Sequence, residues 1–317
     1  MKVGVMCGRE YSFPPAFIER VNAAGREHGI TAELVTLTGT KMGERPDYRV
    51  IVDRISHEVE YYRAYLKHAV LEGSYVINNP FWWTADDKFF NYSVAQRIGV
   101  AVPKTVLLPQ KSYPADVDLT AESLRNLGYP IDWDGLLDYV GRPAILKPYS
   151  GGGWKHVYKV HNKEELLAAY DNTGPYCMTL QQFINFDKYV RCFTFGKTDI
   201  TPVRYDVGER RYLVEHEYLD SDIGARIVRD AQTLNMALGY EMNTIEFAVQ
   251  DGVPYAIDFL NPAPDFERDR ITPHYFEIVL DRMTKLVIDR ALSGTASQSW
   301  PRWAQMTGLS DAAPMPV

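Results

Sequence analysis

The chain is poor in cysteine, with three (Cys7, Cys177 and Cys192) in 317 residues. The number is odd and the three are far apart, which excludes a disulfide framework and any cysteine-based metal-ligand spacing. Cys7 reads as a small residue ending a first buried strand, and Cys192, among apolar neighbours, as core; thiol chemistry is set aside. Long hydrophobic runs are missing too, since none approaches the ~20 residues that span a bilayer. The opening Met1-Lys2-Val3-Gly4-Val5-Met6 is a strand pattern, too short for the apolar part of a secretion signal, so a cytoplasmic protein without membrane association is expected. Positive charge is in deficit, with 34 Lys and Arg against 41 Asp and Glu, a net charge of −7. A broad nucleic-acid footprint needs a basic face and is not expected here. A phosphorylated ligand needs only a few local cations and a metal, and remains allowed.

A hydrophobic share of 46% and a charged share of 24% are ordinary for a globular protein, and the length suffices for two or three subdomains with their own cores. Strands and helices alternate up to about residue 83. Val3 to Met6, Ala32 to Leu37, Val50 to Val52 and Tyr75 to Asn78 read as strands. Pro14 to His28, closed by Gly29, and Glu58 to Glu72 read as helices. Such alternation predicts a small, mostly parallel α/β domain. A helix is predicted from Thr84, its start signalled by Thr84 with Asp87, its buried stripe Phe90, Val94 and Ile98, its stop Gly99. Residues 110 to 140 predict a loop with one or two short helices. Strands dominate from Ala144 to Tyr205, broken by a helix from Lys163 to Tyr170 that Asn162 can cap. A long helix follows Ser221 and ends at Gly239, a hairpin spans Asn243 to Leu260, and a last helix covers Tyr275 to Leu292. The tail, with Pro301, Pro314 and Pro316, reads as loosely held.

Four separated features carry chemistry. Lys147 ends the apolar strand Pro143-Ala144-Ile145-Leu146. Ser150-Gly151-Gly152-Gly153 follows at once, and its glycines let main-chain N–H groups approach phosphate oxygens; by itself a mobile hairpin turn fits it equally. Leu180-Gln181-Gln182-Phe183-Ile184 is an apolar strand with two polar residues, followed by Asp187. Glu246 and Asp258 lie on the two arms of the hairpin, with Asn261 just beyond. Three oxygen donors without His or Cys suit magnesium rather than zinc.

In this order the features resemble the ATP-grasp enzymes, of which glutathione synthetase and D-alanine–D-alanine ligase are examples. Asp87-Lys88 in the helix before Gly99-Val100-Ala101-Val102-Pro103-Lys104-Thr105 also matches, so the resemblance spans roughly residues 78 to 264. It implies an α/β (α+β) chain with an N-terminal α/β domain (1–83), a central lid subdomain (84–184) and a C-terminal subdomain (185–317) that clasp ATP. It implies that Lys88 and Lys147 contact ATP phosphates and that Ser150, Gly151, Gly152 and Gly153 close over them. Gln182 and Ile184 would offer main-chain groups to adenine, with Gln181 and Phe183 nearby and Asp187 on the ribose. Glu246, Asp258 and Asn261 would hold Mg2+. The implied reaction joins a small-molecule carboxylate to an amine through an acyl phosphate, with a phosphotransferase or a non-catalytic ATP-binding regulator as alternatives. Oligomeric state stays open, a homodimer included.

The match departs from the family in places. Gln181-Gln182 stands where an acidic hinge residue is frequent. Asp258-Phe259-Leu260-Asn261 carries one residue more than the usual Glu-x-Asn, which implies a bulge or a weaker third ligand. The arginine before the first metal carboxylate is replaced by Thr244-Ile245, and Arg191 and Arg204 are the proposed substitutes for stabilising an acyl phosphate. Two further groups fall where open α/β sheets bind ligands: Gly8-Arg9-Glu10, and Arg54 to His57, where His57 reads equally as a helix cap. Asp265, Arg268, Arg270 and His274 read either as a substrate loop or as a solvated one. Asp251-Gly252 favours a two-residue turn, which in a regular ladder sends Glu246 and Asp258 to opposite faces. Burial of Ile245, Phe247 and Val249 with Val253, Tyr255, Ile257 and Phe259 on one face therefore predicts an odd, three-residue loop that returns Glu246 and Asp258, with Thr244, Ala248 and Ala256, to the other.

Overall fold

The N-terminal apolar runs form the expected parallel sheet. Strands β1 (Lys2–Met6), β2 (Thr31–Leu34), β3 (Tyr48–Asp53) and β4 (Tyr75–Ile77) lie in the order β2-β1-β3-β4. Helices α1 (Phe13–Ala24) and α2 (Glu60–Leu71) connect them. A parallel sheet must be covered on both faces; Val3, Val5, Val50 and Val52 pack towards α1, and Met6, Ile51 and Val76 towards α2. Pro14 and Pro15 open α1, where a missing N–H is harmless. The helix stops at Ala24, short of the predicted His28, because Gly25 starts a separate turn that closes at Gly29 with φ 63°. The computed structural model describes residues 1–84, 87–114, 118–150, 155–214 and 219–293. The glycine loop Gly151 to Gly153 and the proline-bearing tail lie outside the described residues.

A short helix α3 (Pro80–Trp83) leads to α4 (Lys88–Arg97). Asp87, not Thr84, caps α4, its carboxylate accepting the Phe90 N–H at 2.8 Å. The buried face of α4 is also rotated from the predicted stripe: Lys88, Asn91, Tyr92, Val94 and Ala95 are buried, while Phe90 and Ile98 are half-covered. Next come β5 (Thr105–Leu108), α5 (Trp133–Val140), β6 (Ala144–Pro148), β7 (Tyr158–Val160), α6 (Lys163–Asp171) and β8 (Met178–Gln182). Their antiparallel sheet runs β5-β8-β6-β7. Leu137 of α5 and Leu166 of α6 pack against Leu146 and Leu180 on one face. Residues Ile145, Lys147, Thr179 and Gln181, which alternate with that set, take the other face.

The third sheet, β11-β10-β9-β12-β13, holds β9 (Lys188–Phe195), β10 (Asp199–Asp206), β11 (Arg211–Leu213), β12 (Met242–Gln250) and β13 (Val253–Asp258). Val190, Ile245, Phe247 and Val249 face α7 (Ser221–Leu238) and α4. On the opposite face Phe193, Phe195 and Met242 join the N-terminal sheet and α8 (Arg268–Ser293) in one core. Helix α8 is broken at Thr272 (φ 72°, ψ 153°), and the unbroken part follows Pro273. One sheet thus falls in each of the stretches 1–83, 84–184 and 185–317, but α4 packs on the third sheet and α8 returns to α1.

The hairpin departs from the predicted loop, and Tyr255 and Ile257 fall on the Ala248 side with Ala256 among the apolar set, yet Glu246 and Asp258 still come opposite each other. Gln250 pairs with Val253, so the connection is the two-residue turn Asp251-Gly252, both residues at positive φ (51° and 73°) as the favoured hairpin turns require. The ladder then runs Val249–Pro254, Ala248–Tyr255 and Phe247–Ala256, and shifts so that Glu246 faces Asp258. Ile257 is the extra residue, a β-bulge. Local turn preference won at the tip, and the one-residue bulge corrects the parity four pairs later.

Candidate active site

Glu246, Asp258 and Arg191 share one face of the third sheet, Glu246 being opposite Asp258 on one side and Arg191 on the other. Arg191 Nη2 lies 2.6 Å from Glu246 Oε1, and the Tyr189 hydroxyl donates to Oε2. Burial pushes the Glu246 carboxyl up and Arg191 pulls it back, but the shift stays upward with Asp258 adding to it. Asp258 goes the other way: burial works against its charge, yet Lys88 and Lys147 hold it below the usual carboxylate range. Lys88 Nζ is 3.1 Å from Asp258 Oδ2, the one Asp258 oxygen engaged among the described residues. The guanidinium of Arg191 lies 3.7 Å over the Tyr205 ring and donates to the Tyr212 hydroxyl at 3.2 Å.

Lys147 comes from the second sheet. Its Nζ donates to the Tyr92 hydroxyl at 2.9 Å and to the Ile257 carbonyl at 3.3 Å. Burial lowers its pKa, with Asp258 and Glu246 acting in the opposite sense. Two carboxylates therefore meet three cations, Lys88, Lys147 and Arg191, a local surplus of one positive charge. Buried charges persist only when paired, and the surplus asks for an anion.

Asn261 follows Asp258 by three residues and is half-buried. Its N–H donates to Asn243 Oδ1 at 3.2 Å, while Asn243 Nδ2 donates to the Phe259 carbonyl at 3.0 Å. The buried Asn243 thus staples the segment that carries Asn261. Among the described residues no group of three His, Cys, Asp or Glu side chains is gathered. Two facing carboxylates beside an amide are a hard, all-oxygen set, and magnesium takes few protein ligands and fills its shell with phosphate and water oxygens. The residues present fit that ion.

In the hinge strand, Gln181 points to the Lys147 face and donates from Nε2 to Thr105 Oγ1 at 2.8 Å. Gln182 points to the other face, accepting the Lys104 N–H on its side chain at 3.2 Å. Its own N–H is already given to the Lys104 carbonyl at 2.8 Å, so that main-chain donor is used within the protein. Lys159 Nζ sits 3.7 Å over the Phe183 ring. Ile184 is buried against Tyr189 and Ala248. Asp187 is exposed, its N–H given to the Val249 carbonyl at 3.0 Å. Ser150 is exposed and lines, with Asp87, Phe90 and Cys177, a cavity of about 600 Å³.

Other expected site residues are placed elsewhere. Arg204 is exposed and stands opposite Val190, so it lies on the α7 side of the sheet, away from Glu246. One step of strand parity separates it from Arg191's face. Arg54 is buried, pairs with the half-buried Glu10, sits between the rings of Phe13 (5.0 Å) and Phe266 (4.7 Å), and donates to the Pro264 carbonyl. It fastens the 262–266 segment to the N-terminal sheet. Glu267 does the same at α1, accepting N–H groups of Tyr11, Ser12 and Phe13 at 3.2, 2.9 and 3.2 Å. Val59, not His57, is the N-cap of α2. Arg9 is exposed and pairs with Glu58 at 3.3 Å, and Asp265 accepts the Glu267 N–H at 3.0 Å. Arg268, Arg270 and His274 are exposed on α8.

Four tyrosines at the site escaped the sequence reading: Tyr92, Tyr189, Tyr205 and Tyr212. The available signals were spacing ones. Tyr92 lies four residues after Lys88 on one helix and so on its side, and Tyr189 lies two before Arg191 on one strand and so on its face.

No family model matches the sequence. D-alanine–D-alanine ligase A of Bacillus cereus is 23% identical over 172 residues, which cover 49% of this chain and 57% of that relative. The chain thus matches a little over half the length of this curated relative. Among solved structures, an ATP-grasp RimK domain protein from Sphaerobacter thermophilus superposes with a TM-score of 0.63 at 16% identity, covering 92% of this chain and 100% of its own. The ATP-grasp ligase PsnB, solved with minimal precursor, Mg and ADP, gives 0.60 at 15% identity over 91% and 98%. D-alanine–D-alanine ligase from Bacillus anthracis with ATP gives 0.58 at 17% identity over 92% and 97%. At such identities the likeness is one of fold, and it extends over nine-tenths of the chain.

Proposed function

Starting from the ATP-grasp fold that this chain has, we propose that it is a magnesium- and ATP-dependent ligase that joins a carboxylate to an amine. The observation that carries the reading is the bulge at Ile257. It sets Asp258 opposite Glu246 on the face where Arg191, Lys88 and Lys147 converge. Lys88 and Lys147 bind the polyphosphate, whose negative charge answers the local positive surplus noted above. Glu246, Asp258 and Asn261 hold the metal, which when bound neutralises charge on phosphate oxygens. Arg191, fixed by Glu246, Tyr205 and Tyr212, is aimed along the same face and stabilises the acyl phosphate from which the amine displaces phosphate. Catalysis on this design is positioning and charge stabilisation. The amine and the carboxylate are amino-acid or peptide-like, a reading supported by the precursors with which the PsnB neighbour and the macrocyclase MdnC of Microcystis aeruginosa were solved.

The test is ADP release against pools of amino acids, peptides and small carboxylates, with hydroxylamine added to trap activated acyl groups as hydroxamates. Carboxylate-dependent ADP release with a hydroxamate product is expected. ADP release driven by a hydroxyl acceptor without hydroxamate would replace the ligase by a phosphotransferase, and no ATP binding at all would remove both.

A further inference from the structure

Tyr92 is 4% exposed and touches three parts of the chain at once. It stands on α4, its hydroxyl accepts from Lys147 of the second sheet, and the same hydroxyl donates to the Ile257 carbonyl of the hairpin. Its ring packs edge-on against Phe259 at 5.4 Å. Burial drives the phenol pKa upward, and the Gln181 amide lies beside the hydroxyl. The hydroxyl has one proton. Because that proton goes to Ile257, the oxygen can only accept from Lys147, and the sense of both hydrogen bonds is settled. Ile257 is the bulged residue, so the carbonyl it offers belongs to the irregularity that turns Asp258 towards Glu246.

The Lys147 ammonium has three N–H bonds; among the described residues, Tyr92 and Ile257 take two. One is left. Lys147 also feels the attraction of Asp258 and Glu246, and a flexible lysine without a fixed acceptor would collapse towards them. We propose that Tyr92 is a positioning residue that anchors Lys147 on the bulge carbonyl, holding its remaining N–H out of the carboxylate pair and ready for a nucleotide phosphate. This rests on the reading of Lys147 as a phosphate ligand.

The experiment is a binding cycle with a non-hydrolysable ATP analogue, measured by calorimetry on wild type, Tyr92→Phe, Lys147→Ala and the double variant. Phenylalanine keeps the packing on Phe259 and removes only the hydroxyl. A hydrogen bond to a charged group is worth roughly 1.5–3 kcal/mol, so Tyr92→Phe should weaken nucleotide binding about 10- to 100-fold. In the Lys147→Ala background the same change should have almost no effect, because the residue through which Tyr92 acts is gone. Equal losses in both backgrounds, or full affinity in Tyr92→Phe, overturn the proposal. Absence of binding by wild type would instead overturn the nucleotide site itself. A variant that fails to fold shows itself in thermal unfolding; Tyr92→Met with the same cycle then decides, because it fits within the space of the tyrosine and brings no donor for the Ile257 carbonyl.

Discussion

Lys88 and Asp258 form a bridge of 3.1 Å, with side chains 10% and 41% exposed, and on the proposed function this pairing would make metal binding conditional. With Lys88 on Asp258, Arg191 on Glu246 and Lys147 close by, a bare divalent cation meets a site already carrying one positive charge too many. A polyphosphate would draw Lys88 away and supply negative charge, leaving the carboxylates free for a metal. The perturbation is Lys88→Met, which keeps the stem and removes the charge. At 3.1 Å the attraction between unit charges is about 5 kcal/mol at an effective dielectric of ~20 and about 1 kcal/mol in bulk water. Partial exposure of Asp258 places the pair near the lower end, about 2 kcal/mol, or roughly 30-fold in affinity. Removing Lys88 should tighten nucleotide-free binding of Mn2+, followed by electron paramagnetic resonance, by about that factor, and should at the same time weaken the ATP analogue. Wild-type protein that binds Mn2+ alone as tightly as Lys88→Met would refute the exchange of partners.

Further outcomes follow from single residues. Gly239 sits at φ 80°, and a Cβ there would fall 1.6 Å from Trp82; Gly239→Ala should destabilise by about 3 kcal/mol or more, read from the urea midpoint, and a loss under 1 kcal/mol would contradict the packing. Burial opposes the charge on Glu267, but the Ser12 hydroxyl and the N–H groups of Ser12, Phe13 and Tyr11 prevail and hold its pKa below the ordinary value. A depressed folded pKa stabilises above the unfolded value of about 4.3 and is lost as pH falls through the folded one. Glu267→Gln should therefore lower stability by about 2 kcal/mol at pH 7 and by progressively less below pH ~4; a gap that stays constant with pH would rule out a charged cap. Lys147→Ala should abolish ATP turnover while unfolding at the wild-type temperature, and full turnover in that variant would displace the central site assignment.

The parts of the fold that were legible share a cause: each is set by a local rule that burial also favours. The βα alternation, the Asn162 cap of α6 and the left-handed glycines after α4 and α7 are of this kind. The sequence predicts the start of α4 too early, at Thr84, because two polar residues can cap it and only tertiary contact chooses. The Tyr149 carbonyl takes the Lys88 N–H at 3.1 Å, so the first turn belongs where Asp87 caps it. The buried stripe of α4 differs from the periodicity for a related reason. Periodicity seeks apolar residues, yet this helix buries Lys88 and Asn91, as a helix facing a charged site does.

The hairpin shows where pattern reading stops. Parity argued that Glu246 and Asp258 must share a face because Ile245, Phe247 and Val249 must share the other, and that conclusion came from burial of a whole apolar set. The device that achieves it could be an odd loop or a bulge, and both satisfy parity equally. Asp251-Gly252 satisfies its own turn at positive φ, so the odd residue moves to where it is better compensated. At Ile257 the side chain packs with Ile184, Tyr189 and Ala248, and the displaced carbonyl is taken up by Tyr92 and Lys147. The spare residue between Asp258 and Asn261 is accommodated nearby: Asn243 holds Phe259 and Asn261 by their backbones, so the longer segment is pinned without a second bulge. A bulge leaves no mark in composition. What reveals it is the group that satisfies its carbonyl, here a buried tyrosine four residues after the lysine that pairs with Asp258.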